Sequence, residues 1–300
     1  MGDAINKETK ILLDASQTPL PASPFHISAL AKEIKAPNIN IKDLAQLILR
    51  DFGLTFYYLK WINSAFFSSG IHQPPISMTK IIMMLGLDNI SSTLNEVPSL
   101  SREQLAASDP YNRCQLFTLA KATLAGHFAG KISEVIGINL EVSSLLAMSL
   151  NLGECITALA FPRVAILLDS IDNKKERHKM AKRFLFHTPE ELGFQVAKRW
   201  NLPELILNLL SNANHYDSFK NKDISFCLAY GINKLLCEAQ YKIKNDQKPK
   251  KAFTFLESQL QLSSSKLISL ITAGLSDLKG DNPAFYQVLC EQGLINRLPI

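Results

Sequence analysis

The 300-residue sequence has no glycine-rich phosphate loop, no useful length of strand-like alternation and no internal repeat. Those absences remove the nucleotide-binding α/β folds built on a glycine fingerprint, the β-sandwiches and barrels, and the solenoids. Its five cysteines, Cys114, Cys155, Cys227, Cys237 and Cys290, are odd in number and show neither CxxC nor Cys/His finger spacing. No disulfide framework or zinc finger is therefore expected, and free thiols in a reducing compartment are. The opening "MGDAINKETK" lacks the apolar core of a signal peptide, and Gly2 lacks the downstream Ser or Thr of a myristoylation site. The longest apolar stretch, Val142 to Phe161, approaches membrane-spanning length, but Asn151 and Glu154 interrupt it and its flanks lack the Lys/Arg and Trp/Tyr pattern of a span. A charge at mid-span costs about 2.5–3.5 kcal/mol on insertion scales, so a buried helix and a cytoplasmic protein are the expectation.

What is present is ordinary globular material: 47% hydrophobic and 20% charged residues, with a net charge of +5. The lysine-rich run "YKIKNDQKPKK", Tyr241 to Lys251, contains a proline between helical segments and reads as a solvated loop. It lacks the aromatic interleaving of an RNA-binding motif, so nucleic acid is not an expected partner.

The periodicity is helical almost throughout. Ile41, Leu44, Ala45, Ile48 and Leu49 form one stripe behind the N-cap candidate Asn40, and Leu54, Tyr57, Tyr58, Trp61, Ile62 and Ala65 form another up to the "SSG" break at Ser68 to Gly70. "IHQPPIS" must be a loop because Pro74 and Pro75 each remove a backbone donor. Further helices are expected over about Met78 to Leu85, Asn112 to Ile136, Val142 to Ala160 (apolar nearly all round, hence central) and Glu190 to Trp200, with Pro203 opening the next. "NKKERHKMAKR", Asn173 to Arg183, reads as a charged surface segment, and the last 85 residues add helices near Ile224–Tyr241, Phe253–Gln261 and Lys266–Leu278. The fold class expected is all-α.

The order of several short motifs carries a resemblance. A Leu20–Pro21 opening leads to "LAQLILRDFGLTFYYLKWI", then "NSAFF" at Asn63 to Phe67, "QPPIS" and "IIMMLG"; later come Leu152–Gly153 and "LGF…RWNLPELI" at Leu192 to Ile206. This pattern is similar to the HDOD family, the HD-related output domain of bacterial signalling proteins, over roughly residues 15 to 215. The resemblance implies an HD-like multi-helix bundle with an N-terminal half over 15–110, an HD-like half over 111–215 and an additional C-terminal helical segment over 216–300. It also implies a role in signal transduction that is regulatory rather than hydrolytic.

An HD hydrolase needs histidines and carboxylates to hold a divalent metal that activates water. With Gly153 set on the family's glycine, Leu150 and Asn151 occupy the His-Asp positions, "QLFTLAK" at Gln115 to Lys121 lacks an expected histidine, and Pro189 stands four before Gly193 where relatives can carry another. A rebuilt metal site, and with it the alternative of a metal-dependent phosphohydrolase or phosphodiesterase, would have to draw on His127, Glu154, His187 and His215, no two of which share helical ligand spacing. Cys155 next to Glu154 lies in an apolar helix that would raise its pKa, and Ser64 and Ser68 lack a nucleophile elbow. No catalytic residue, metal or cofactor is expected. The aromatic set around "FYYLKWINSAFF" exceeds what one helix face can bury, which makes Tyr57, Trp61, Asn63, Phe66 and Phe67, together with Asn151 and His215, the candidates for a partner surface or pocket. The function expected is a non-catalytic protein-interaction module with a signalling protein as partner and a vestigial cleft open to a small ligand.

Overall fold

The structure is a computed structural model describing residues 2–69, 75–213, 223–241 and 250–300, the side chains of 2–5 and 65–69 excepted. Among the described residues there are eighteen α-helices and no strand beyond a single parallel bridge, Ala22 to Ser99. The first seven are α1 (Gly2–Gln17), α2 (Pro24–Glu33), α3 (Ile41–Leu49), α4 (Phe52–Ser69), α5 (Met78–Leu85), α6 (Leu87–Thr93) and α7 (Arg102–Ala106). Then come α8 (Pro110–Ile136), α9 (Leu140–Ser149), α10 (Leu152–Ala160), α11 (Pro162–Asp169), α12 (Lys174–Leu185), α13 (Pro189–Arg199) and α14 (Glu204–Ser211). The chain closes with α15 (Ile224–Gln240), α16 (Lys250–Leu260), α17 (Ser264–Asp281) and α18 (Pro283–Glu291).

Local chemistry sets the ends. The Asn40 side chain accepts the Lys42 N–H at 3.0 Å and starts α3, which buries Leu44, Ala45, Ile48 and Leu49. Asp51, itself buried, does the same for α4: one carboxylate oxygen accepts the Leu54 N–H at 2.9 Å and the other reaches back to the Ser23 N–H at 2.9 Å, tying α2 to α4. Gly53 is required there because a Cβ would lie 2.4 Å from the Pro21 carbonyl oxygen. Thr188 opens α13 with a reciprocal capping box to Glu191.

α8 is the axis of the bundle, 27 residues long, opened by Asp109 and Pro110 and closed by Gly137 at φ +74°. Against it lie α9, α10, α15, α17 and α18. The apolar run Val142 to Ala160 is not a single helix but α9 and α10, bent by 46° at Leu150–Asn151. The cause is polar: the Ala147 carbonyl, which would accept the Asn151 N–H in a continuous helix, instead accepts the side-chain amides of Asn151 at 3.2 Å and of Asn233 on α15 at 2.8 Å, while the Asn151 N–H shifts to Met148 O at 3.0 Å. Both halves are apolar all round because both are buried.

The segment 173–183 is also regular, forming most of α12, and α1, α2, α6, α7, α11 and α18 lie outside the helices that periodicity picks out. α1 packs on α13 and α10, with its Ser16 carbonyl receiving the Trp200 indole N–H at 2.8 Å. The helices after residue 223 share one continuous apolar core with the rest, and Gly274 of α17 lies so close to α8 that a Cβ would meet the Phe128 ring at 2.7 Å. No single described helix is long and apolar enough to cross a membrane.

Candidate functional site

α10, which bends away from α9, forms one wall of a cleft through Glu154, Thr157 and Ala158. It crosses α13 with Gly153 against Gly193; a Cβ on Gly153 would lie 1.6 Å from the Pro189 carbonyl oxygen, so only glycine permits this approach. The cleft beside that crossing has a volume of about 270 Å³ and is bounded by α8, α10, α11, α12, α13 and the end of α15. Glu154, Asp169, Arg177, His178, Glu190 and Tyr241 supply its polar lining.

The residues that the resemblance aligns with HD ligands have the following surroundings. Leu150 packs against the hydrophobic core. Asn151 is 2% exposed, and its amide donates both to Ala147 O and to Asn233 Oδ1, while the Asn233 amide donates to Ala147 O and, at 3.0 Å, to Ala229 O. The two amides form a closed polar knot rather than an open ligand. Lys121, the last residue of the histidine-free stretch Gln115 to Lys121, is wholly buried; its ammonium pairs with Glu154 and donates to Gln240 Oε1 at 2.7 Å. Burial alone would lower the Lys121 pKa, but the Glu154 carboxylate outweighs it and the net shift is upward, so the ammonium is held charged. Pro189 lines the cleft. Leucine, lysine, proline and an engaged amide do not fit a divalent ion, and the one carboxylate among them already carries a cation.

The three described members of a rebuilt metal site go to different partners. His127 is buried near His26 and Asp281, and burial pushes its pKa down to about 4 despite the Asp281 charge. Glu154 faces Lys121, and His187 Nε2 lies 3.2 Å from Glu8 of α1. His215 lies outside the described residues. Among those described, no three His, Cys, Asp or Glu side chains converge as a metal site would require.

Around the cleft the charges are mostly paired. Glu190 lies 3.2 Å from His178 and 3.3 Å from Lys174; burial would raise its carboxyl, but these partners outweigh that and hold it at about 2. Gln240 donates to Asp169 at 3.1 Å, and the Arg177 guanidinium stacks on the Tyr241 ring 3.5 Å from its centre. Burial raises the Cys114 thiol to about 11 and the Cys155 and Cys237 thiols above their ordinary range, which leaves all three poor nucleophiles.

Of the aromatic candidates, Tyr57 and Trp61 are half-buried and line a second groove, about 360 Å³, with Lys60, Glu96 and Trp200. Lys60 sits 4.7 Å from the Trp200 ring centre and is pushed down in pKa by burial. Asn63 does not line that groove: it is buried, donates to Leu59 O at 2.6 Å and leaves its Oδ1 without a partner. The side chains of Phe66 and Phe67 lie outside those described. Sequence reasoning missed the roles of Lys121, Asn233 and Gln240, although a lone lysine within "FTLAKATLAG" is the mark of a buried ion pair.

The described residues form an all-helical bundle in which a bent helix pair crosses α13 glycine to glycine. The HDOD domain family model matches residues 20–216, and the chain belongs to that family. An uncharacterized protein of Treponema pallidum (strain Nichols) is 26% identical over 195 residues, 64% of this chain; the chain spans 37% of that relative's length. Among solved structures, the MmoQ response regulator of Methylococcus capsulatus str. Bath is similar with a TM-score of 0.61 and 16% identity, over 85% of this chain and 98% of that one. A virulence factor of Campylobacter jejuni subsp. jejuni gives 0.60 and 19%, over 88% and 95%. At these identities the likeness concerns the fold.

Proposed function

We propose that the chain is a metal-independent regulatory module that acts through protein–protein contact in bacterial signal transduction. The observation that carries this reading is the Lys121–Glu154 pair, in which a buried ammonium engages the carboxylate that follows Leu150 and Asn151 in the chain, the residues the resemblance sets at the His-Asp positions. The family and the response regulator among its structural relatives support a signalling context. The cleft beside Glu154 and Tyr241 is the site where a small ligand would act on the module.

The alternative, a metal-dependent phosphohydrolase, is tested by the same preparation. Protein dialysed without chelator is expected to hold less than about a tenth of an equivalent of Mn, Fe or Zn, far below a tight site, and to leave a generic phosphodiester intact when Mn²⁺ is added. Near one equivalent of metal, with turnover abolished by Glu154→Gln, would replace the module with the hydrolase.

A further inference from the structure

α12 breaks several rules of helix design on one side. Lys175, Lys179 and Arg183 follow one another at four-residue intervals, all are exposed, and none pairs with an acid among the described residues. Carboxylates are within reach of this helix, since Lys174 pairs with Glu190 and Lys182 with Glu191. The other three cations are left facing outward, where like charges four residues apart repel. Lys175 also sits in the first turn, against the helix dipole. At the far end Phe184 and Phe186 are 45% and 37% exposed, and Phe186 is held at φ +62°, a conformation unfavourable for a bulky side chain. A row of three like charges without acidic partners is a departure from local rules of the kind expected at functional sites.

We infer that this outer ridge of α12 docks an acidic helix of a partner protein. Four residues of helix rise about 6 Å, so the three cations span about 12 Å in line, and carboxylates at every fourth residue of a second helix repeat at the same interval. Phe186, which follows Arg183 by three residues in the chain and is 37% exposed, offers an apolar contact beyond the cations. The ridge is the outside of a helix and not a groove, so it has no walls to follow a nucleic-acid backbone. A membrane surface would be attracted by the number of cations and not by their interval. The inference rests on the protein-interaction reading and gives its partner a chemistry.

The test uses the full chain and two labelled helical peptides of equal composition. One carries Glu at i, i+4 and i+8 with Leu one turn on; the other carries the same residues with the Glu interval broken. The matched peptide is expected to bind at least about tenfold more tightly than the broken one at low salt, a difference narrowed by raising the salt. Lys175→Glu/Lys179→Glu/Arg183→Glu, all surface changes, should abolish that preference with an unchanged melting curve, and a peptide with Lys at the three positions should bind the reversed protein. Equal binding of both peptides, binding of neither, binding indifferent to the reversal, or preference for single-stranded RNA or phosphatidylserine vesicles would each overturn the inference. Phosphodiester turnover would remove the module reading whatever the peptides do, whereas failed peptides without turnover would remove the ridge alone.

Discussion

Returning an acid to the vestigial site is the most searching perturbation the structure offers. In Asn151→Asp the side-chain amide is replaced by a second oxygen. Its two donations, to Ala147 O and Asn233 Oδ1, become contacts between acceptors at a position 2% exposed. Asn233 cannot repair this by turning over, because its amide already donates to Ala147 O and Ala229 O, and turning would point its oxygen at both. Lys121 cannot neutralise the new charge freely, being paired with Glu154. An uncompensated buried carboxylate costs about 3–5 kcal/mol. Asn151→Ala, which removes the donors without adding charge and strands the Asn233 oxygen, should cost about 1–3 kcal/mol. Urea midpoints at neutral pH would rank wild type above Ala above Asp. The Asp variant has a second signature: its folded-state pKa lies above the unfolded value of about 3.9, so its deficit shrinks as pH falls through that raised pKa. An Asp variant within about 1 kcal/mol of wild type would refute the knot, since even one stranded buried group costs that much. Recovery of stability on adding Mn²⁺ to Leu150→His/Asn151→Asp would count against the metal-independent reading.

The Lys121–Glu154 pair is unequal, with side-chain exposures of 1% and 29%, so its two deletions should differ. Glu154→Ala strands a buried ammonium and should cost about 3–5 kcal/mol, while Lys121→Met leaves a carboxylate that water can reach and should cost clearly less; equal losses in urea titrations would contradict this. His127 provides a pH dependence: its folded pKa of about 4 lies below the unfolded value of about 6.5. The stability of keeping it neutral is full above about 6.5 and is lost as pH falls through about 4, a change on the order of 3 kcal/mol. Asp281, Asp277, His26 and Arg50 are the charges facing it, and His127→Gln should flatten the stability profile over that window if this is its source. Gly153→Ala should cost more than about 3 kcal/mol or prevent folding, because the Cβ would overlap Pro189 O, whereas Gly280→Ala in α17, with nothing within 4 Å, should raise stability by about 0.5–1 kcal/mol. Thermal melts that rank the two alike would contradict the crossing of α10 and α13.

What the sequence made legible follows from the range of the interactions involved. The stripe Ile41 to Leu49, the Asn40 cap, Met78 to Leu85 and the helix end at Ile136 are decided by neighbours a few residues apart, and the structure has them as helix, cap and end. The HD-like class was legible through motif order, and Gly153 shows why a glycine stands in that pattern. The break at Asn151 was not legible, because the group that competes for Ala147 O comes from Asn233, 86 residues away, and an apolar run looks unbroken to a periodicity argument. Lys121 shows the same limit, since its partners Glu154 and Gln240 lie 33 and 119 residues along the chain. Those two long-range partners, Asn233 and Gln240, both belong to α15, beyond residue 216 where the family match ends. A single helix beyond the family match, α15, therefore supplies the amides that engage Asn151 and Lys121. An isolated 20–216 fragment would leave both buried groups without those partners and should be less stable than the full chain.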